Sequence, residues 1–266
     1  MQQGKAVLRV RSRALHALPG LVALACVAAC AEQPAKPPAA GASPAASAAE
    51  PSTDPAVYGI VDRRGKDGAS VFAAHLVSDF DAFKKFFEDG TAEREKAGVK
   101  GHVLTRLDDG RVVIHLFAEN LDAIKMTLES PKLEAYLDRK GAPDATLVWL
   151  AYDELVKLPA KPPSGQTFSL FIKMRMRDLP ALRRGFVERQ PLFTEQGVIG
   201  SGLHHSVEQA DLAFLHFVGT DRTKLEALAK RPEFQDWLRA AGTAEAPTVL
   251  VGEDVSRSRS YYADFK

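Results

Sequence analysis

Six side chains in this sequence have the chemistry to hold an anion or move a proton: His102, Arg106, His115, Lys173, Arg175 and His216. A neutral imidazole titrates near the pH of most biological media and can act as a general base. Arginine and lysine supply fixed positive charge. Placed around one cavity, these groups suit an anionic or phenolic ligand. Strand alternation is what brings them together. Asp108-Asp109-Gly110 is a hairpin signal between "HVLTRL" and "RVVIHLF". An even-length turn there puts His102, Leu104, Arg106, Val113, His115 and Phe117 on one face. Val103, Thr105, Val112, Ile114 and Leu116 fall on the other. The uncharged face is expected to pack on helices and the His/Arg face to look inward. In "FSLFIKMRMR", Phe168, Leu170, Ile172, Met174 and Met176 form the apolar set, which turns Lys173 and Arg175 the opposite way. His216 matches His115 in a second copy of the pattern, with His205 a further candidate there. His75 shares parity with Val71, Ala73 and Val77, so it belongs to the helix-packed side and outside the leading set. The plainer reading of the same residues is a set of satisfied interior groups or an exposed sheet edge.

Other chemistries find less support. There is no HExxH and no cysteine pair, and His204-His205 on a strand point to opposite faces, so neither a metal nor another cofactor is expected. Glu88, Glu93 and Glu95 lie beside Lys and Arg in the pattern of a solvated helix face. No glycine-rich phosphate loop, nucleophile elbow or basic–aromatic stripe is present. The net charge of +1 gives no electrostatic case for nucleic acid.

The elements that must position these side chains are written twice. Asp79, Phe87, Gly98, Val99 and Gly101 match Asp178, Phe186, Gly197, Val198 and Gly200, each 99 residues later. Beyond the hairpin the spacing becomes 101, and His115, Pro131, Tyr136 and Gly141 match His216, Pro232, Trp237 and Gly242. A two-residue insertion in one turn explains the step, and a period of this size means two domains rather than a solenoid. Each copy reads strand–helix–strand–strand–helix–strand. "SDFDAFKKFFEDGTAEREKAG" is helical, with Phe80, Phe83 and Phe87 on one face. Asn120 caps the next helix, whose face is Leu121, Ile124 and Leu128. "SPKLEAYLDRKGA" and "RPEFQDWLRAAGT" restart and stop a helix in each copy, with Pro at the first helical position. "ATLVWLAY" is the last strand of the first copy.

The ends read differently. Lys5, Arg9, Arg11 and Arg13 precede the apolar run "ALHALPGLVALACVAAC", a secretory-signal pattern over residues 1–30. Its end, "VAAC", resembles a bacterial lipobox, which implies a lipid on Cys30. Cys26, in "ALAC", is the other candidate. Ala31 after the cysteine resembles the pattern sorted to the outer membrane, so the expected site is its periplasmic face. Residues 31–56 are rich in Ala, Pro and Ser with no aromatic, a tether rather than a core. "LPAKPPSGQ" (158–166) is a proline-rich linker between the copies, residues 57–157 and 167–266.

The βαββαβ order is ferredoxin-like. "HLVSDFDAFKKFFEDG…GVKGHV…SPKLEAYLDRKGA" resembles the dimeric α+β barrel superfamily, which includes the antibiotic-biosynthesis-type monooxygenases, over residues 70–155 and 168–255. The resemblance implies an α+β fold in which two units pair sheet to sheet, here as a pseudo-dimer within one chain. The tryptophan usual after the "D-[FY]-D" element is Phe83 in the first copy and Leu182 in the second. The family's functions are mixed, so two expectations stand. One is an envelope lipoprotein whose barrel binds a small hydrophobic or anionic ligand or a protein partner. The other is a cofactor-independent, monooxygenase-like enzyme acting on an aromatic or quinone-like substrate, with His115 or His216 as base.

Overall fold

A computed structural model describes residues 52–63, 68–129, 131, 147–159, 161, 163–242 and 245–258. The signal segment with Cys26 and Cys30, most of the tether, the first copy's "SPKLEAYLDRKGA" beyond Pro131 and the chain's last eight residues lie outside them. No described helix is long and apolar enough to cross a membrane.

Both copies fold in the expected order. The first runs β1 (Val61–Asp62), β2 (Ala69–Leu76), α1 (Phe80–Asp89), α2 (Thr91–Lys96), β3 (Val99–Leu107), β4 (Arg111–Ala118), α3 (Leu121–Leu128) and β5 (Leu147–Lys157). The second runs β6 (Phe168–Arg175), α4 (Leu179–Glu188), α5 (Gln190–Glu195), β7 (Val198–Ser206), β8 (Leu212–Gly219), α6 (Arg222–Lys230), α7 (Pro232–Ala241) and β9 (Thr248–Arg257). Matched positions carry matched caps. Asp79 and Asp178 accept the backbone N–H groups of Ala82 and Ala181, and Asn120 and Asp221 those of Ala123 and Lys224. The single helix expected over residues 78–98 is two. Gly90 takes φ −83°, ψ 0° between α1 and α2, and Arg189, ahead of Pro191, takes nearly the same angles between α4 and α5. A glycine in one copy and a proline in the other weaken the helix at the same point. Gly98 and Gly197 then turn the chain into β3 and β7 with positive φ.

Eight strands close into an antiparallel barrel in the order β5-β2-β4-β3-β9-β6-β8-β7, with β7 returning to β5 and β1 lying against β5. β5 and β9 serve both halves. Residues 147–152 of β5 pair with β2, and residues 151–157 pair with β7 of the other copy. Residues 248–253 of β9 pair with β6, and residues 252–257 pair with β3. Each long strand carries an extra residue where it crosses. Asp153 pairs with His204 and Leu155 with Leu203, leaving Glu154 over; Asp254 pairs with Thr105 and Ser256 with Leu104, leaving Val255 over. The last strand of copy one runs on to Lys157, five residues beyond the "ATLVWLAY" pattern that ends at Tyr152.

Helices cover the barrel outside. Phe83, Phe87 and Ile124 bury against the outer face of the first half-sheet; Phe186, Phe193, Phe234 and Trp237 bury against that of the second. Inside, Trp149, Leu212 and Phe214 fill one end and Val103, Phe117 and Leu158 the other. On α4, Gly185 lies so close to the Trp237 ring of α7 that a Cβ there would overlap the indole. Gly185→Ala is therefore expected to destabilise the protein by about 1–3 kcal/mol through overpacking, read as a lower midpoint in urea unfolding followed by circular dichroism.

Candidate functional site

The hairpin turn decides which side chains enter the barrel, and it is odd-length. Arg106 pairs with Val112, and Gly110, at φ +82°, donates its N–H to the Leu107 carbonyl across a three-residue loop. The even-length expectation is corrected, and with it the faces. Val103 and Thr105 look inward with Val113, His115 and Phe117. His102 and Arg106 lie on the helix side with Leu104, Val112 and Ile114. The His102 ring meets Phe87 edge-on at 4.9 Å. Arg106 lies 5.0 Å from the Phe80 ring and pairs with Glu253 at 3.2 Å. His75 is also on the helix side, 6.2 Å from Phe83. Of the six candidates, His115 and His216 occupy the middle of the barrel. Lys173 and Arg175 share its inward face but sit at its end. The inward imidazole of β7 is His204, not His205, because His204 pairs with Phe214 and Gly202 with His216 on one face.

The middle of the barrel is a layer of rings and hydroxyls. Phe72 and His115 are directly opposed on β2 and β4 and stack at 4.4 Å; Phe171 and His216 are opposed on β6 and β8 and stack at 4.6 Å. The two imidazoles meet at 4.9 Å, and His204 lies 5.6 Å from His115 and 5.1 Å from Phe72. Each stacked imidazole is anchored by a serine of the same half. His115 Nε2 is 3.2 Å from Ser70 Oγ, and His216 Nε2 is 3.0 Å from Ser169 Oγ. Ser70 donates to Asp153 Oδ1 at 2.7 Å, and His204 Nδ1 lies 2.8 Å from the same oxygen. With Ser70 donating to the carboxylate, His115 must donate from Nε2 to Ser70, which fixes its tautomer. The chain of donors therefore converges on Asp153, which is 3% exposed. His204 Nε2 is buried with no hydrogen-bond partner among the described residues. It occupies the space a Cβ on Gly202 would need.

Ser70, Ser169, Asp153, Asp254 and His204 were not among the sequence candidates. A signal for most of them exists in the repeat. Ser70 and Phe72 match Ser169 and Phe171 at 99, and Asp153 matches Asp254 at 101, alongside the histidine pair. His204 matches Thr105 at 99, so there the copies differ. The second carboxylate is accordingly held by other groups. Thr105 Oγ1 and Thr167 Oγ1 each donate to Asp254 at 2.7 Å, and Arg257 Nη2 donates to it at 2.7 Å. Outside the barrel, the extra residue Glu154 pairs with Arg183 of α4, which also reaches Asp62 at 3.0 Å. His205 Nδ1 lies 2.8 Å from Glu154 Oε1, within ion-pair range but off hydrogen-bond alignment.

Burial sets the charge of this layer. It lowers His216 to about 3 and holds His115 well below the usual imidazole range, with the neighbouring imidazoles adding to the effect. Burial also lowers His75 and His102 to about 4. Burial pushes the Asp153 carboxyl up, but the His204 ring, the Ser70 hydroxyl and His115 outweigh it, and the net direction is down. The fold thus holds four neutral imidazoles that the unfolded chain protonates near pH 6.5. Stability is full above that pH and falls as pH drops toward 4. Each histidine contributes a slope of at most about 1.4 kcal/mol per pH unit in that window. Urea midpoints measured across the window are expected to fall steeply, and less steeply for His75→Gln or His102→Gln. Gly202→Ala is expected to push His204 off Asp153 and cost on the order of 1–3 kcal/mol, seen in the same titration.

At one end of the barrel, Lys173 Nζ lies 5.0 Å from the centre of the Trp149 ring, and Trp149 packs on Phe214 at 5.7 Å. Arg175, beside it, is paired with Asp211 at 2.7 Å. By sequence, no family model and no curated protein matches the chain. Solved structures do match it in shape. A candidate monooxygenase from Fusobacterium nucleatum subsp. nucleatum superposes with a TM-score of 0.56 at 11% identity, over 73% of this chain and 95% of that one. A candidate monooxygenase from Lactobacillus acidophilus NCFM gives 0.53 at 10%, over 73% and 96%. An anthrone oxidase-like protein gives 0.54 at 12%, over 75% and 95%. The likeness is one of fold: the chain is a closed eight-stranded α+β barrel, both halves of which come from a single polypeptide.

Proposed function

We propose that this protein is a cell-envelope lipoprotein, anchored through Cys30 at the periplasmic face of the outer membrane, whose barrel binds a small hydrophobic anion. One observation carries the binding reading. At the barrel end, the Lys173 ammonium lies over the half-buried Trp149 indole among Phe214, Phe171 and Leu250. Among the described residues no carboxylate pairs with it, whereas neighbouring Arg175 is taken up by Asp211. A cation on an aromatic platform with an apolar floor suits a carboxylate or phenolate on a hydrophobic body. The middle of the barrel suits catalysis less well. Its rings pack on one another, and apart from His204 Nε2 its imidazoles and carboxylates are engaged with serines, threonines, an arginine or each other. The anchor and location rest on the basic start, the apolar run and "VAAC" of the first thirty residues.

A second reading, the monooxygenase-like enzyme, draws on His204. An imidazole held by a carboxylate through Nδ1, with Nε2 unpartnered, has the form of a general base. The named likenesses include an anthrone oxidase-like protein.

Tryptophan fluorescence separates the two. The chain has two tryptophans and Trp237 is buried, so a Trp237→Phe background isolates Trp149. Decanoate and 2-naphthoate are expected to give a saturable change, weakened at least about tenfold by Lys173→Met, the loss of one charge-assisted contact. The neutral alcohols of the same size are expected to bind less. Equal response to acid and alcohol, or no response, overturns the binding reading. Oxygen uptake with an anthrone, abolished by His204→Gln, would establish the second reading in its place.

A further inference from the structure

Two cations stand at alternate positions of one strand at the barrel end. Lys173 and Arg175 of β6 are paired with Phe214 and Leu212 of β8, which belong to one buried apolar cluster. Alternate residues of a strand share a face and lie about 7 Å apart. The first copy has neither cation: 99 residues earlier, Ala74 matches Lys173 and Leu76 matches Arg175. Trp149 in turn is matched by Leu250. The barrel therefore closes over apolar residues at these positions in one copy, and the cations of the other are not required for closure. Lys173 lies over Trp149, while Arg175 is paired with Asp211 in the β7–β8 turn. We propose that Arg175 is a second, displaceable cation of the Lys173 site, so that the site prefers an amphiphile with two neighbouring carboxylates to one with a single charge, an inference that rests on the binding reading above.

The hold on Arg175 is of a kind that exchanges. Both contacts to Asp211 come from one nitrogen, Nη1, at 2.7 and 2.8 Å. The parallel two-nitrogen fork is the geometry that makes a guanidinium–carboxylate pair strong. Glu245 Oε2 lies 3.9 Å from Arg175 Nε, beyond hydrogen-bond reach. The side chains of Arg175, Asp211 and Glu245 are 37%, 55% and 75% exposed, where water and salt leave an ion pair little net strength. A second carboxylate on a ligand already seated at Lys173 reaches Arg175 at high effective concentration. Asp211 is then released to water. A ligand with one charge has nothing left to offer Arg175 once Lys173 holds it.

Octylsuccinate, which is decanoate bearing a carboxymethyl group on its second carbon, and its monoamide test this. The two have nearly the same size and apolar body but differ by one charge. Trp149 fluorescence is read in the full chain carrying Trp237→Phe, at about pH 8, where both carboxyls of octylsuccinate are ionised. Octylsuccinate is expected to bind at least about tenfold tighter than the monoamide, the gain of one charge-assisted contact. Arg175→Met is expected to bring that ratio within about twofold, the residue of screened long-range attraction. Asp211→Asn, which keeps Arg175 and removes its competitor, is expected to raise the ratio, and it decides the matter if Arg175→Met does not fold. Saturable binding of both ligands at a ratio near one overturns this inference and leaves the binding reading standing. So does a ratio that the folded variants leave unchanged. No saturable response to either ligand removes the inference and the binding reading together.

Discussion

A sheet made of two halves can close only if some strand belongs to both, and here β5 and β9 carry that burden. Each starts in its own half and finishes in the other, so each must satisfy two cores in turn. Residues 153 and 155 of a regular strand share a face. In this barrel Asp153 has to reach the interior while Leu155 has to bury beneath the helices of the second copy. The extra residue at Glu154 shifts the phase by one and allows both. Val255 does the same work on β9, where Asp254 turns in. The buried polar layer is thus a product of closure: the crossing point is where the phase changes, and the residue just before it is aspartate in both copies.

Once two carboxylates are inside, the rest of the layer answers to them. A buried carboxylate is tolerated only with donors on its oxygens. Ser70 and His204 supply them for Asp153; Thr105, Thr167 and Arg257 supply them for Asp254. The stacked Phe–His pairs complete the filling. Each is a directly opposed cross-strand pair, a geometry that brings rings into contact and contributes on the order of 1 kcal/mol beyond burial. Packing the imidazoles against phenylalanines keeps them dry and neutral, so they place no second charge beside the carboxylates. The donors to each aspartate include a residue of the opposite copy, His204 or Thr105. Removing one therefore costs more than the bond it made, because a charge is left stranded between the halves.

Much of the architecture was legible because it was written twice. The matched caps Asp79 and Asp178, the matched glycines Gly98 and Gly197, and the repeated proline restart gave the element order and the pairing of two units. The inward faces of β4, β6 and β8 followed from simple alternation. What failed was phase. Asp108-Asp109-Gly110 reads as a turn under any count, but one residue of loop length moves His102 and Arg106 to the other side of the sheet. Alternation likewise stops at a bulge, and "YDELVK" carries no local mark of one, because the extra residue is demanded by a partner strand distant in sequence. Ser70 and Asp153 look ordinary in isolation. Only the second copy, with Ser169 and Asp254 at the same spacings, marks them as a set.

Fusion of the two units has a consequence that two separate chains would not share. In a dimer of identical subunits a two-fold axis makes both closing seams the same, and any substitution appears in each. A single chain is released from that rule. Its copies have kept the serines, the phenylalanines, the facing histidines and the aspartates, and have diverged at the two positions that compensate charge. His204 stands opposite Thr105 in the alignment, and Arg257 opposite Val156. One carboxylate therefore sits with a permanent cation and two threonine hydroxyls, the other with an imidazole and the Ser70 hydroxyl. The shared residues preserve closure of the barrel, while the divergent ones give its two sides different electrostatics.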